Sequence, residues 1–158
     1  NPENIHTLYK KPSKRTKTAA FLLRLPSVGT FVYHLLTTRK SIRKLFETEY
    51  FYDPDNITEA LYDYYYESAH LKGKDAKNLS ISLAGRYTNA NIIQTLKNIN
   101  NNIHILAGAE IPGIEDVIKE YQYYNPAIEA EYITYTKKLP HLEMPSGIMK
   151  YLNLYLNN

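Results

Sequence analysis

The chain has 158 residues, of which 44% are hydrophobic and 22% are charged, with a formal net charge of +3. This length and balance are typical of a globular domain that buries a core, and they exclude a disordered, charge-dominated chain. The absence of cysteine excludes disulfides, thiolate metal sites and cysteine nucleophiles, and it fits a reducing compartment, so we expect a cytoplasmic location. No apolar run approaches the roughly 20 residues that span a bilayer, so we expect no membrane partner.

The first hundred residues predict short helices joined by turns. Residues 1–12 are polar, lack the layout of a signal peptide and are interpreted as a connector taken from the middle of a longer chain. Ser27 is the expected N-cap of the second helix. Apolar residues at helical spacing predict helices near residues 18–25, 28–36, 41–46, 57–71, 79–84 and 90–96.

The pattern changes after residue 100. Residues 103–107 form a short β-prone apolar run closed by Gly108, which is typical of a buried parallel strand. A helix is predicted from Pro112, a second strand over 130–135 and a final helix after Pro145. The predicted fold class is therefore α/β, with a helical part followed by a β-α-β-α unit of an incomplete parallel sheet.

Two parallel strands need neighbours, because an isolated pair exposes unpaired backbone groups on both edges. We therefore expect the rest of the sheet to come from a missing N-terminal half or from a second chain. For the same reason, the isolated chain is expected to self-associate.

Three local features resemble the α/β-hydrolase superfamily, in which a helical cap precedes the last two strands. Asn1-Pro2 resembles the end of the strand that leads into the cap. The run 103–108, followed by Pro112, resembles the family's apolar strand that ends in glycine with an acid just beyond. Residues 138–145, K-L-P-H-L-E-M-P, resemble the loop G-H-x-P-x-x-E-x-P that enters the last helix.

The resemblance implies a division of the chain and a set of functions. Residues 1–100 would be the helical cap and connector, and residues 101–158 the C-terminal β-α-β-α part of the hydrolase core. The complete protein would hydrolyse small ester, amide or halide substrates. The family's nucleophile motif, G-x-S-x-G, is absent from this sequence.

The same resemblance indicates three candidate catalytic residues. Counting back from Glu143, the family's histidine position falls on Lys138, and His141 follows three residues later. The family's acid position falls on Ile111, next to Glu110. Each candidate has a simpler interpretation: His141 caps or packs the last helix, Glu110 is an exposed loop carboxylate, and Lys138 is a surface lysine.

No cofactor and no metal are expected. The remaining histidines are His104, inside the apolar strand and interpreted as a hydrogen-bonded core residue, and His6, His34 and His70, which are too scattered in sequence for a ligand cluster.

Two further functions remain open. Loss of the family's residues at both positions 111 and 138 favours a catalytically inactive binding or interaction module. Basic runs over residues 10–17 and 39–44 suit a nucleic-acid-binding helical module, but no motif for reading DNA or RNA accompanies them, so we do not expect nucleic acid as the partner. The leading hypothesis is still a hydrolase-like protein that acts on a small-molecule substrate.

Overall fold

The structure is a computed structural model that describes residues 2–156. Asn1, which the resemblance places at the end of a strand, lies outside the described residues, as do residues 157–158. The described chain belongs to the mixed α/β class, since it is mostly helical with one two-stranded parallel sheet. The helices are α1 (Ile5–Leu8), α2 (Lys14–Arg24), α3 (Pro26–Leu36), α4 (Arg39–Leu45), α5 (Glu59–His70), α6 (Lys77–Ala84), α7 (Ile93–Asn98), α8 (Ile114–Tyr124), α9 (Pro140–Glu143) and α10 (Pro145–Leu156).

The chain forms two compact units. The sheet unit consists of Asn1–Leu8, Phe46–Asn56 and Asn91–Asn158, and the helical unit consists of Tyr9–Leu45 and Ile57–Ala90. Residues 1–8, 46–56 and 91–100, which the sequence interpretation assigned to the cap and connector, are thus grouped with the sheet residues. The division of a larger fold at residue 100 stays a prediction.

In the helical unit, a break separates α2 from α3. Helix α3 begins with Pro26, and its N-cap Leu25 makes no side-chain capping bond, so the expected capping by Ser27 is wrong. Proline explains the shift, because its fixed φ and missing N–H suit the first position of a helix. Gly29 permits the tight crossing: a Cβ there would lie 2.0 Å from the Leu23 carbonyl oxygen.

A buried lysine supports this break. Lys77 of α6 is 8% exposed. Its Nζ donates to the carbonyl oxygens of Leu25 and Pro26, at 3.1 and 3.3 Å, and to Thr30 Oγ1 at 3.2 Å. The ammonium therefore joins α6 to the junction of α2 and α3, where the Leu25 carbonyl also accepts the Gly29 N–H at 2.9 Å.

The sheet unit contains β1 (Ile103–Gly108) and β2 (Ile128–Ile133), which pair in parallel from Ile103 opposite Ile128 to Gly108 opposite Ile133. The first strand and the final helix after Pro145 are confirmed. The second strand begins and ends two residues earlier than predicted. It ends early because the chain turns at Tyr135, which adopts a left-handed φ of 58°.

Helices cover both faces of this small sheet. On one face, Ala107 packs with Ile114 and Ile118 of α8 in the core. On the other face, the ring of His104 stacks on Tyr155 of α10 with centroids 3.8 Å apart. Among the described residues each strand pairs only with the other, so one edge of each strand has no strand partner.

None of the helices described in residues 2–156 is by itself long and apolar enough to cross a membrane. Helices α2 and α3 satisfy the length and composition criteria only as a pair, and the pair is bent by 106°.

Candidate functional site

The candidate site lies in the sheet unit, where the loops after β1 and β2 meet. A Cβ added to Gly108 would lie 2.0 Å from the Lys137 carbonyl oxygen and 2.6 Å from that of Thr136. The loop after β2 therefore crosses directly over the end of β1, and only glycine allows this approach. The Glu110 N–H donates to the Thr136 carbonyl at 3.0 Å, which fixes the two loops to each other.

Glu143 fixes a third segment to these loops. Its carboxylate accepts the Lys137 N–H at 2.7 Å and the Tyr52 N–H at 2.5 Å. Next to this bridge, the Lys138 N–H donates to the Tyr50 carbonyl at 3.1 Å. Glu143 thus has a structural role, because it holds residues 50–52 against residues 137–138.

Lys138, which was a candidate catalytic residue only by the resemblance, forms an ion pair with Glu49. Its Nζ lies 2.9 Å from Glu49 Oε2 and 5.5 Å from the centroid of the Tyr50 ring. The hydrogen bond and charge of Lys138 lower the pKa of the Glu49 carboxyl below its ordinary value. Both partners are substantially exposed, so the pair contributes little to stability and serves mainly to orient the ammonium.

Glu110 and Lys138 line the same cavity. It has a volume of about 160 Å³, and the Glu110 carboxylate also accepts the Tyr135 N–H at 3.4 Å. Ile111, next to Glu110, contributes to the lining as well. The full lining is Thr48, Glu49, Glu110, Ile111, Pro112, Lys137 and Lys138.

The lining of the cavity combines two glutamates and two lysines with the apolar Ile111 and Pro112. Such a lining suits a small polar or zwitterionic group, which opposite charges hold at both ends. The lining contains no serine or cysteine. Ser80 lies inside α6 and Ser146 lies in the first turn of α10, so neither has the strand-to-helix turn of a hydrolase nucleophile.

A second, wider cleft of about 430 Å³ lies beside the first turn of α8. Gly113, with a φ of 73°, turns the chain into this helix. Glu115 and Asp116 line the cleft together with Tyr132 of β2. Ile111 lines both spaces, so the two lie side by side at the carboxyl ends of the strands.

His141 is exposed on the short helix α9, and it does not belong to the lining of either space. The structure therefore brings Glu110 and Lys138 together and leaves His141 outside. His104 is half-buried, and its Nδ1 lies 3.2 Å from Glu129 Oε2 without forming a hydrogen bond. At this nitrogen the expected hydrogen bond of the core histidine is absent among the described residues, and the ring instead stacks on Tyr155.

Within the described part of the chain, no group of three or more His, Cys, Asp or Glu side chains could hold a metal ion.

Sequence reasoning missed Glu49 and Thr48. They lie in a π-helical turn, Phe46–Tyr50, and Glu49 is 89 residues from its partner Lys138. No local pattern marks this turn as part of a site. The contact becomes visible only in the structure, where Glu143 joins residues 50–52 to residues 137–138.

Comparisons with protein-family models, with curated proteins and with solved structures found no match to this chain.

Proposed function

We propose that the chain is the C-terminal portion of an α/β-hydrolase-like protein, whose complete form hydrolyses small ester, amide or halide substrates. The observation that carries the proposal is the cavity at the carboxyl ends of β1 and β2, lined by Glu110 and Lys138. Ligands of parallel α/β sheets bind at this end of the strands. The sheet supports the proposal too, since the unpaired edges of β1 and β2 need further strands.

In this proposal each candidate residue has a defined role. Glu110 is the acid that orients a base, because it follows the glycine-ended strand and faces the cavity. Lys138 is bound to Glu49 at 2.9 Å and acts as a cation that holds an anionic substrate group, since a protonated amine cannot accept a proton. His141 is the base only if the nucleophile approaches the exposed side of α9. The nucleophile is supplied by another segment or a second chain.

The test uses the complete reading frame that contains this chain, expressed as one protein and assayed with p-nitrophenyl acetate. We expect turnover that falls by about a hundredfold or more in Glu110→Gln, the usual scale for an acid–base residue. Glu115→Gln, which changes a carboxylate of the neighbouring cleft, is the matched control and should keep at least half of the activity. His141→Ala separately tests the base assignment.

Two results would contradict the hydrolase proposal. One is the absence of both ester turnover and labelling by a fluorophosphonate probe. The other is turnover that Glu110→Gln and Glu115→Gln lower equally, since the loss would then not depend on the cavity. Unchanged turnover in His141→Ala removes that residue's role and leaves the remainder of the proposal intact.

A second candidate function is a catalytically inactive relative that binds small molecules in the same cavity. The ion pair between Lys138 and Glu49 favours it, because it occupies the base position with a group that carries its proton. In this case the complete protein would not react with the fluorophosphonate probe. Added free glycine, a small zwitterion, would still shift the NMR signals of Glu110 and Lys138. In the Lys138→Met variant, the shift of the Glu110 signal should disappear. Labelling by the probe would count against this candidate.

A further inference from the structure

The helical unit carries most of the positive charge of the chain. Residues 9–45 and 57–90 contain fourteen Lys and Arg against four Asp and Glu, a formal charge of +10. The remaining residues contain five against twelve, a formal charge of −7. The net charge of +3 hides this separation. Residues 4–46 carry only positive formal charge, with ten Lys and Arg and no Asp or Glu.

Basic side chains before and in the first turn of α2 have no acidic partner among the described residues. We call Lys10, Lys11, Lys14, Arg15 and Lys17 the basic cluster, and all five are exposed.

The arginines of α4 differ from the basic cluster. Arg39 lies 2.7 Å from Asp63, and Arg43 donates to both carboxylate oxygens of Glu59, at 2.6 and 2.7 Å. Because the basic cluster lacks such partners, its charge remains available for an external anion.

The same helices expose large apolar side chains. Val28, Phe31 and Leu35 recur at helical spacing on one face of α3 and are 48%, 68% and 60% exposed, whereas Gly29 and Tyr33 of that helix are buried. The apolar patch consists of Phe21, Leu22, Val28, Phe31, Leu35 and Leu36. Six large apolar side chains exposed on two consecutive helices exceed the single exposed residues of an ordinary surface, and such exposure is typical of an interaction site.

We propose that α2 and α3 dock on the surface of an anionic phospholipid membrane. The apolar patch would enter the boundary between headgroups and acyl chains, and the basic cluster would lie against the negatively charged headgroups. Each helix has 11 residues and is about 16 Å long, roughly half of a bilayer's hydrocarbon core. The two helices, bent by 106°, therefore lie on the membrane rather than cross it.

Charge complementarity selects the lipid surface over other occupants. Nucleic acid accounts for the basic cluster but not for exposed phenylalanine and leucine, because binding to phosphates requires no apolar side chains. An uncharged apolar partner would cover the apolar patch, but it would leave the five cations of the basic cluster without an anionic partner. A membrane partner departs from the expectation drawn from the sequence, and it does not depend on the proposed hydrolase function.

The test measures flotation of the full chain with vesicles of phosphatidylcholine, alone or with one quarter phosphatidylserine. We expect binding to the anionic vesicles that weakens as salt rises. Lys14→Gln/Arg15→Gln/Lys17→Gln should lower the affinity roughly a hundredfold, since each cation near an anionic surface contributes about fivefold. Phe31→Ser/Leu35→Ser should lower it at least tenfold.

Matched control variants change exposed residues of the sheet unit. Leu154→Ser in α10, where the side chain is 54% exposed, and Lys97→Gln in α7 should each bind as tightly as the original chain. All substituted positions are exposed, so circular dichroism should report unchanged helix content. This measurement separates lost binding from lost folding.

Three outcomes would overturn the proposal. The first is failure of the original chain to float with anionic vesicles. The second is equal loss of binding in the control variants. The third is release of the chain from anionic vesicles by duplex DNA, together with unchanged vesicle binding by the Phe31→Ser/Leu35→Ser variant. This result would assign the basic cluster to nucleic acid.

Discussion

Replacement of Glu143 by glutamine tests the role of this residue in joining three segments of the site. Glutamine keeps the size of the side chain and one oxygen acceptor, but its amide nitrogen must face the N–H of either Lys137 or Tyr52. One of the hydrogen bonds at 2.7 and 2.5 Å is therefore lost. The second becomes a neutral hydrogen bond.

The expected cost follows from the charge and surroundings of these bonds. Hydrogen bonds to a charged acceptor contribute about 1.5–3 kcal/mol, against about 1 kcal/mol for neutral ones. The side chain of Glu143 is only partly buried, so water replaces part of the loss. We expect the free energy of unfolding to fall by about 2 kcal/mol, which lowers the Tm of a chain of this size by roughly 4–8 °C.

The assay combines urea unfolding, followed by circular dichroism, with amide hydrogen exchange at Tyr52 and Lys137. Exchange should accelerate at both amides, because both lose a charged acceptor. Glu67→Gln, an exposed glutamate of α5, is the control and should change the free energy of unfolding by less than about 0.5 kcal/mol. Unchanged exchange at both amides, with stability equal to that of the control, would refute the structural role of Glu143.

Three further predictions concern the loop crossing, the ion pair and the helix break. Gly108→Ala should lower the free energy of unfolding by about 2 kcal/mol or more in thermal or urea unfolding, because the new Cβ would lie 2.0 Å from the Lys137 carbonyl oxygen. NMR titration should give Glu49 a pKa below that of an ordinary glutamate, and Lys138→Met should raise it, because Lys138 lowers this pKa through its hydrogen bond and charge. Since the folded pKa is the lower one, the pair stabilises the fold above the unfolded pKa, and this contribution disappears as the pH falls through the folded pKa. Lys77→Met should lower the free energy of unfolding by about 2–3 kcal/mol in urea titration, because three oxygens lose a charged donor.

Each of these predictions has a control. Gly73→Ala replaces a glycine whose added Cβ would meet nothing within 4 Å, although alanine at its φ of 52° adds a strain of about 1 kcal/mol. If Gly108→Ala costs no more than Gly73→Ala, the close crossing is not required. Lys97→Met should leave the titration of Glu49 unchanged. Lys77→Arg should recover part of the loss seen in Lys77→Met, and failure of Lys77→Met to destabilise the chain would remove the role of Lys77 in joining α6 to the junction of α2 and α3.

The sequence by itself determined the local elements. Apolar spacing predicted the longer helices, and the run closed by Gly108 predicted the strand β1, because these patterns depend on residues a few positions apart. The short helices α1 and α9 were not predicted, and only Ala107 and Gly108 of β1 are buried. Errors arose where two local signals competed. Ser27 is a favourable N-cap for a helix from residue 28, but Pro26 starts α3 two residues earlier, and β2 ends at Ile133, just before Tyr135 turns the chain.

The tertiary structure decided which residues share a site. Glu49 meets Lys138 across 89 residues and Glu143 meets Tyr52 across 91, so no local period could predict either contact. The separation of charge between the units also depends on which segments pack together, because the fourteen basic residues of the helical unit come from two stretches separated by residues 46–56. Local propensity fixed the elements, whereas long-range packing fixed the neighbours of Glu110, Lys138 and His141.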